Sequence, residues 1–309
     1  MIDPWFKLTL LMVVAGIIGY LAQRSGLCMI RGVTELRAGR PTLLLAMLLC
    51  GICVWAFVPL ASYLHINIPH VRYQWHVIFV LGGLIFGLGT SANGGCSVST
   101  MSRLARGDFH MLATVLGWII GWCLWLAWAP GSEYLIRLGP TPTSYRVAEL
   151  LLLIVVSIWA IRHSLASRRL WLTIMSIGLM SGLLFLLQPY WSPSDMVQHL
   201  TTALLHEPSS AWPDSERYLL LLALLAGMLV AAWLGHSFIL MRFSLKLVAL
   251  HLAAGTAMGV GASMVMGGND LQLLLTLPAA SPAALVTVAS MLAGIYIGVL
   301  LKRPLKRIG

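Results

Sequence analysis

Apolar residues run along this chain in unbroken stretches of roughly 20, instead of alternating or returning every third or fourth position, which is the pattern of membrane-crossing helices. Nine spans are predicted, near 6–23, 42–63, 75–92, 109–129, 147–161, 170–188, 217–235, 246–266 and 282–301. The first could be read as a signal peptide, but Asp3 precedes a single Lys7 and no small-x-small cleavage site follows before Arg24, so it is taken as a retained helix. The fold class is therefore an all-α integral membrane protein.

Composition agrees: 59% of the 309 residues are hydrophobic, 10% are charged, and the mean hydropathy is +0.88. A soluble enzyme would carry roughly a quarter charged residues. The net charge of +10 raises nucleic acid as a partner, but no basic face alternates with aromatic residues. The basic residues sort by loop instead. One face collects 15 of them with only Glu35 and Asp108, a balance of +13; the other holds Lys7, Arg72, Arg137, Arg146 and Arg217 with 8 acids, a balance of −3. The positive-inside rule then places the N-terminus outside and the C-terminus in the cytoplasm of a bacterial-type inner membrane, and an error of one span would scramble this sorting.

After span three the chain reads Gly83, Gly87, Gly89 and then Ser91-Ala92-Asn93-Gly94-Gly95-Cys96-Ser97; after span eight it reads Gly255, Gly259, Gly261 and then Met266-Gly267-Gly268-Asn269-Asp270. A shift of 172 residues superposes four of these glycines. The copies lie an odd number of spans apart, so they enter the membrane from opposite faces. This predicts an inverted repeat, with halves near 1–130 and 170–309 joined by a connector helix near 147–161. The corresponding breaks after spans one and six, Gln23-Arg24-Ser25-Gly26-Leu27-Cys28 and Gln188-Pro189-Tyr190-Trp191, match much less well. Glycines at four-residue spacing, such as Gly83, Gly87, Gly117 and Gly121, suit close helix packing. The doublets Gly94-Gly95 and Gly267-Gly268 are different, because a broken helix at membrane depth must be buried in protein or line a wet cavity. Two such breaks meeting near the midplane would present unpaired N–H groups to a small anion.

The five cysteines form no disulfide framework. Cys50, Cys53 and Cys123 lie inside apolar runs and are read as packing. Cys28 and Cys96 each follow a glycine-containing break, where a thiol could donate weakly to a soft sulfur atom or exchange sulfur with it. Arg31 and Arg103 follow them and could attract an anion, although orientation alone also explains them. No metal site is expected, since none of the nine His residues forms an H-x-x-x-H or H-E-x-x-H pair. No cofactor is expected either, and no G-x-x-x-x-G-K-[ST] motif is present.

At Arg24-Ser25-Gly26-Leu27-Cys28, at Gly87-x-Gly89 with Asn93-Gly94-Gly95-Cys96, and at Gly259-x-Gly261 with Gly267-Gly268-Asn269-Asp270, the chain resembles the YeeE/YedE family of membrane proteins, associated with uptake of thiosulfate and related sulfur compounds. The resemblance implies an hourglass-like pore of two inverted halves, with short re-entrant helices dipping to a constriction where cysteines pass thiosulfate inward through transient S–H contacts. Cys28 and Cys96 match the first two family cysteines; Gly268 and Asn269 stand where the third is expected. Either another sulfur or selenium species is carried, or Asn269 supplies the missing hydrogen bond.

The resulting expectation is a non-enzymatic permease for a small sulfur-containing anion, with a substrate pathway through Cys28, Cys96, Gly94, Gly95, Ser97, Gly267, Gly268, Asn269 and Asp270. Two alternatives stay open: a membrane sulfurtransferase that passes persulfide sulfur from Cys96 to a cytoplasmic sulfur-carrier protein, and a transporter of some other small anion.

Overall fold

The computed structural model describes residues 3–65, 71–129, 132–206 and 212–305. Nine helical stretches among them are long and apolar enough to cross a membrane. The chain runs through α1 (Pro4–Ser25), α2 (Met29–Arg37), α3 (Thr42–Leu49), a 3-10 segment (Cys50–Phe57), α4 (Val58–Tyr63), α5 (Val77–Asn93), α6 (Ser97–Ala105), α7 (Met111–Trp128), α8 (Thr143–His163), α9 (Leu165–Leu187), α10 (Pro193–His206), α11 (Ser215–Leu234), α12 (Leu245–Met264), α13 (Asn269–Leu271) with a π segment (Gln272–Thr276), and α14 (Pro282–Leu305). The chain is a multi-pass membrane protein, and each predicted span coincides with one of the nine stretches.

The sequence writes the ends of several helices. Asp3 accepts from the Trp5 N–H with Pro4 at the first helical position, and Ser164 accepts from the Ser167 N–H at the sharp corner between α8 and α9. Glycine sets the pairing. A Cβ at Gly117 of α7 would stand 2.2 Å from the Leu252 carbonyl of α12, and one at Gly259 of α12 would stand 2.2 Å from the Trp118 carbonyl of α7. Helices α5 and α14 meet in the same way, where a Cβ at Gly87 would lie 2.3 Å from the Met291 carbonyl. With lipid as apolar as leucine, such close backbone approach is what holds membrane helices together. The packing reading of Gly87, Gly117 and Gly121 is therefore what the structure shows. By contrast α8, the predicted connector, buries only Ala160.

Four breaks follow one plan. In each, a long helix ends, one residue takes a left-handed conformation, and two residues later the N-cap of a short helix appears: Gly26 (φ 62°) then Cys28, Gly94 (φ 75°) then Cys96, Tyr190 (φ 62°) then Ser192, Met266 (φ 59°) then Gly268. The second and fourth agree in detail. Cys96 has φ −79° and ψ −175°, Gly268 has φ −75° and ψ −175°. Gly95 N–H donates to the Thr90 carbonyl (3.2 Å) and Gly267 N–H to the Ala262 carbonyl (2.8 Å); Thr100 N–H donates to the Cys96 carbonyl (2.8 Å) and Gln272 N–H to the Gly268 carbonyl (3.0 Å). Every pair in this comparison is related by the 172-residue shift read from the glycines.

Candidate functional site

The short helices α2, α6, α10 and α13 carry Cys28, Cys96, Ser192 and Gly268 at their N-caps. Each break is locked by side chains of its own. Asn93, 1% exposed, spends its whole hydrogen-bonding capacity on the second one: Nδ2 donates to the Gly95 carbonyl (2.9 Å) and Thr100 Oγ1 (2.9 Å), while Oδ1 accepts from Thr114 Oγ1 (2.7 Å) and from His251 Nδ1 (2.8 Å). Arg103 donates to the Asn93 carbonyl (2.9 Å), which closes the end of α5, and is paired with Asp108 (2.7 Å). Burial works against the Asp108 charge, yet the His110 hydrogen bond and the Arg103 guanidinium hold its carboxyl below the usual range. Arg31 plays the matching part at the first break, donating to the Ser25 carbonyl (2.6 Å) and pairing with Glu35 (2.8 Å). Both arginines thus bind helix ends.

Cys96 is fully buried and Cys28 half-buried, and their thiols lie against one another with Ser99 beside them. Ser97, the first residue of α6, donates its hydroxyl to Asn269 Oδ1 (2.7 Å). Asn269 Nδ2 meets no protein acceptor among the described residues. Asp270 accepts from the Ser194 N–H of α10 (3.0 Å) and, more weakly, from Ser97 Oγ (3.4 Å). Gly268 has no room for a side chain: a Cβ there would stand 2.7 Å from Asp270 Oδ1, 3.0 Å from Ser194 Cβ and 3.3 Å from Trp118. The place corresponding to Cys96 in the second copy is filled by the carboxylate.

A cavity of about 80 Å³ opens beside these groups. Cys96, Ser192, Asn269 and Asp270 form its polar end, and the remaining wall is mostly apolar, including Met47, Met101 and Met228. Cys50, read from sequence as packing, also lines it. A larger vestibule of about 230 Å³ lies on the other side of α13, lined by Tyr73, Arg137, Tyr190, Asp195 and Leu271. Asp195 pairs with Arg217, and its burial pushes the carboxyl up to about 6 against the pull of that guanidinium.

The structure brings Cys28, Cys96, Ser97, Gly268, Asn269 and Asp270 together, with Gly94, Gly95 and Gly267 shaping the turns that present them. Sequence reasoning missed the start of α10. Its signal was there: Ser192-Pro193-Ser194-Asp195 is a serine N-cap, a proline at the first helical position and an acid at the third, and the Ser192 hydroxyl does accept from the Asp195 N–H (3.2 Å). Among the described residues no group of His, Cys, Asp and Glu could hold a metal ion.

No curated protein matches the chain in sequence. Residues 24–169 match the family described as sulphur transport, and that stretch contains the first two breaks with both of their N-cap cysteines. Over these residues, just under half of the chain, it is similar to the YeeE/YedE sulphur-transport family, a likeness that together with the nine apolar helices supports a membrane transporter of sulfur compounds.

Proposed function

We propose that the protein takes up thiosulfate or a closely related small sulfur anion through a pathway between the four breaks, and that it acts by passage and not as an enzyme. The observation that carries this reading is the pair of adjoining thiols, Cys28 and Cys96, at helix N-termini beside a cavity end formed by Cys96, Ser192, Asn269 and Asp270. Helix N-termini offer partial positive charge to the anion, the thiols offer weak donors to its outer sulfur, and Asn269 Nδ2 stands in for the third family cysteine. Weak contacts at several points favour both loading and release. Gly94, Gly95 and Gly267 keep the turns narrow, and Ser97 holds Asn269 in place.

The two halves, near 1–130 and 170–309, are inverted copies around an hourglass constriction, with α8 as the connector. The in-register hydrogen bonds of the second and fourth breaks support this. Orientation follows from the charge sorting, with the N-terminus outside and the C-terminus in the cytoplasm of an inner membrane. Arg31 and Arg103 add positive potential on the inner side while they close their helix ends. A cytoplasmic sulfur carrier is the partner that would receive the imported sulfur on that basic face. The test is uptake of radiolabelled thiosulfate by cells lacking other sulfur importers. Accumulation that depends on this protein is expected; if growth on a panel of single sulfur sources shows no compound that it imports, the reading fails.

A further inference from the structure

Asp270 is the one feature of the cavity that opposes an anion. Its carboxylate is 5% exposed and lies at the polar end of the cavity with Cys96 and Asn269. It accepts from Ser194 N–H at 3.0 Å and from a Ser97 hydroxyl that is already committed to Asn269. Among the described residues no Lys, Arg or His pairs with it. The groups around it are accounted for. From α10 comes Asp195, whose carboxylate and that of Asp270 repel one another and which is paired with Arg217 of α11, and His199 approaches Asp195 at 3.6 Å; Tyr190 lines the vestibule beside Asp195; from α6 and α2 come Ser97 and the titratable thiols Cys96 and Cys28. In the first copy the position 172 residues earlier is Val98. The acid therefore belongs to one side of the site alone.

A buried carboxylate without a counter-ion and an entering anion cannot share a small apolar cavity as two charges, because like charges there are screened weakly. A proton on the carboxylate removes the conflict. We propose that Asp270 couples transport to protons: the carboxylate binds one proton as the sulfur anion enters and releases it as the anion leaves on the other side, which makes the protein a proton–anion symporter. The step is carboxylate plus proton to carboxylic acid and back, with no bond to the substrate and no electron transfer. Protons reach it from the vestibule across α13, whose wall includes Asp195 and Leu271, the neighbours in sequence of Ser194 and Asp270.

This rests on the uptake reading above, and the test separates the two. Purified full-length protein in proteoliposomes is given radiolabelled thiosulfate, with and without an inward proton gradient, at zero membrane potential. The expected result is accumulation rising about tenfold per pH unit of gradient, the value for one proton per anion, with alkalinisation of the outer medium. Asp270→Asn is expected to equilibrate thiosulfate downhill but to lose the gradient response, and Asp270→Glu to regain part of it. Parent protein that moves thiosulfate with no response to the gradient overturns the coupling and leaves the uptake reading intact. So does an Asp270→Asn variant that responds as the parent does. If Asp270→Asn does not fold, the parent's gradient response and that of Asp270→Glu decide. Failure of the folded parent to move any sulfur anion under either condition overturns both.

Discussion

Ser97 and Asn269 occupy equivalent places in the second and fourth breaks, and they hydrogen-bond to each other at 2.7 Å. The contact joins the first residue of α6 to the first residue of α13. It ties the two breaks together at the cavity's polar end and fixes which way the Asn269 amide faces. Ser97→Ala leaves a buried acceptor with only the long 3.4 Å contact to the Ser97 N–H. It should cost about 1–3 kcal/mol of stability, read as a lowered melting temperature in detergent. A double-mutant cycle with Asn269→Ala should return a coupling of about 0.5–3 kcal/mol; additive effects would show that the bond contributes nothing.

Gly268 tests the account of the missing cysteine. Gly268→Cys places a Cβ against Asp270 Oδ1 and Ser194, and it should destabilise the protein by about 1–3 kcal/mol. Adding Asp270→Val, which copies the Cys96-Ser97-Val98 arrangement of the first copy, should recover most of that loss. A melting curve for the double variant no better than that of the single one would refute the steric explanation.

The two arginines should behave differently on truncation. Arg103→Ala strips a partner from the buried Asp108 and from the Asn93 carbonyl, at a cost of about 3–5 kcal/mol. Arg31 is 44% exposed in its ion pair with Glu35, so Arg31→Ala should cost about 1 kcal/mol or less. Equal losses in thermal stability would contradict the assignment of Arg103 as the inner lock of the second break.

Asp195 predicts a pH dependence. Its carboxyl is raised to about 6 by burial, above the ordinary value of 3.8, so between those values the folded state holds the proton more tightly than the unfolded state does. Stability from this group is full below about pH 4 and falls as the pH rises through 6, by roughly 1–3 kcal/mol in all. Melting temperatures measured from pH 4 to 8 should show this decline in the parent and lose it in Asp195→Asn; an unchanged slope in the variant would assign the decline elsewhere.

The nine spans were legible because their apolar runs are long, and the second and fourth breaks because four glycines, the last being Gly95 and Gly267, stand in register. The third break, at Gln188-Pro189-Tyr190-Trp191, matched its partner only weakly for a physical reason: Tyr190 takes the left-handed conformation that glycine takes at positions 26 and 94, so the sequence carries no glycine there. Met266 does the same in the fourth break, where Gly267 and Gly268 still mark the place. Long-range partners left no local trace. Nothing near Asn93 in sequence announces His251, and nothing near Asp270 announces Ser194.

The central claim is that sulfur passes along Cys28 and Cys96, and transport by the cysteine variants tests it most directly. Radiolabelled thiosulfate uptake should be measured in cells lacking other sulfur importers, with Cys28→Ala, Cys96→Ala and, as a control, Cys123→Ala, all at matched membrane levels. The account predicts uptake reduced by about tenfold or more in each of the first two, the worth of one lost contact of about 1.4 kcal/mol at the narrowest point, and parental uptake in the third. Uptake by Cys28→Ala and Cys96→Ala equal to that of the parent would contradict it.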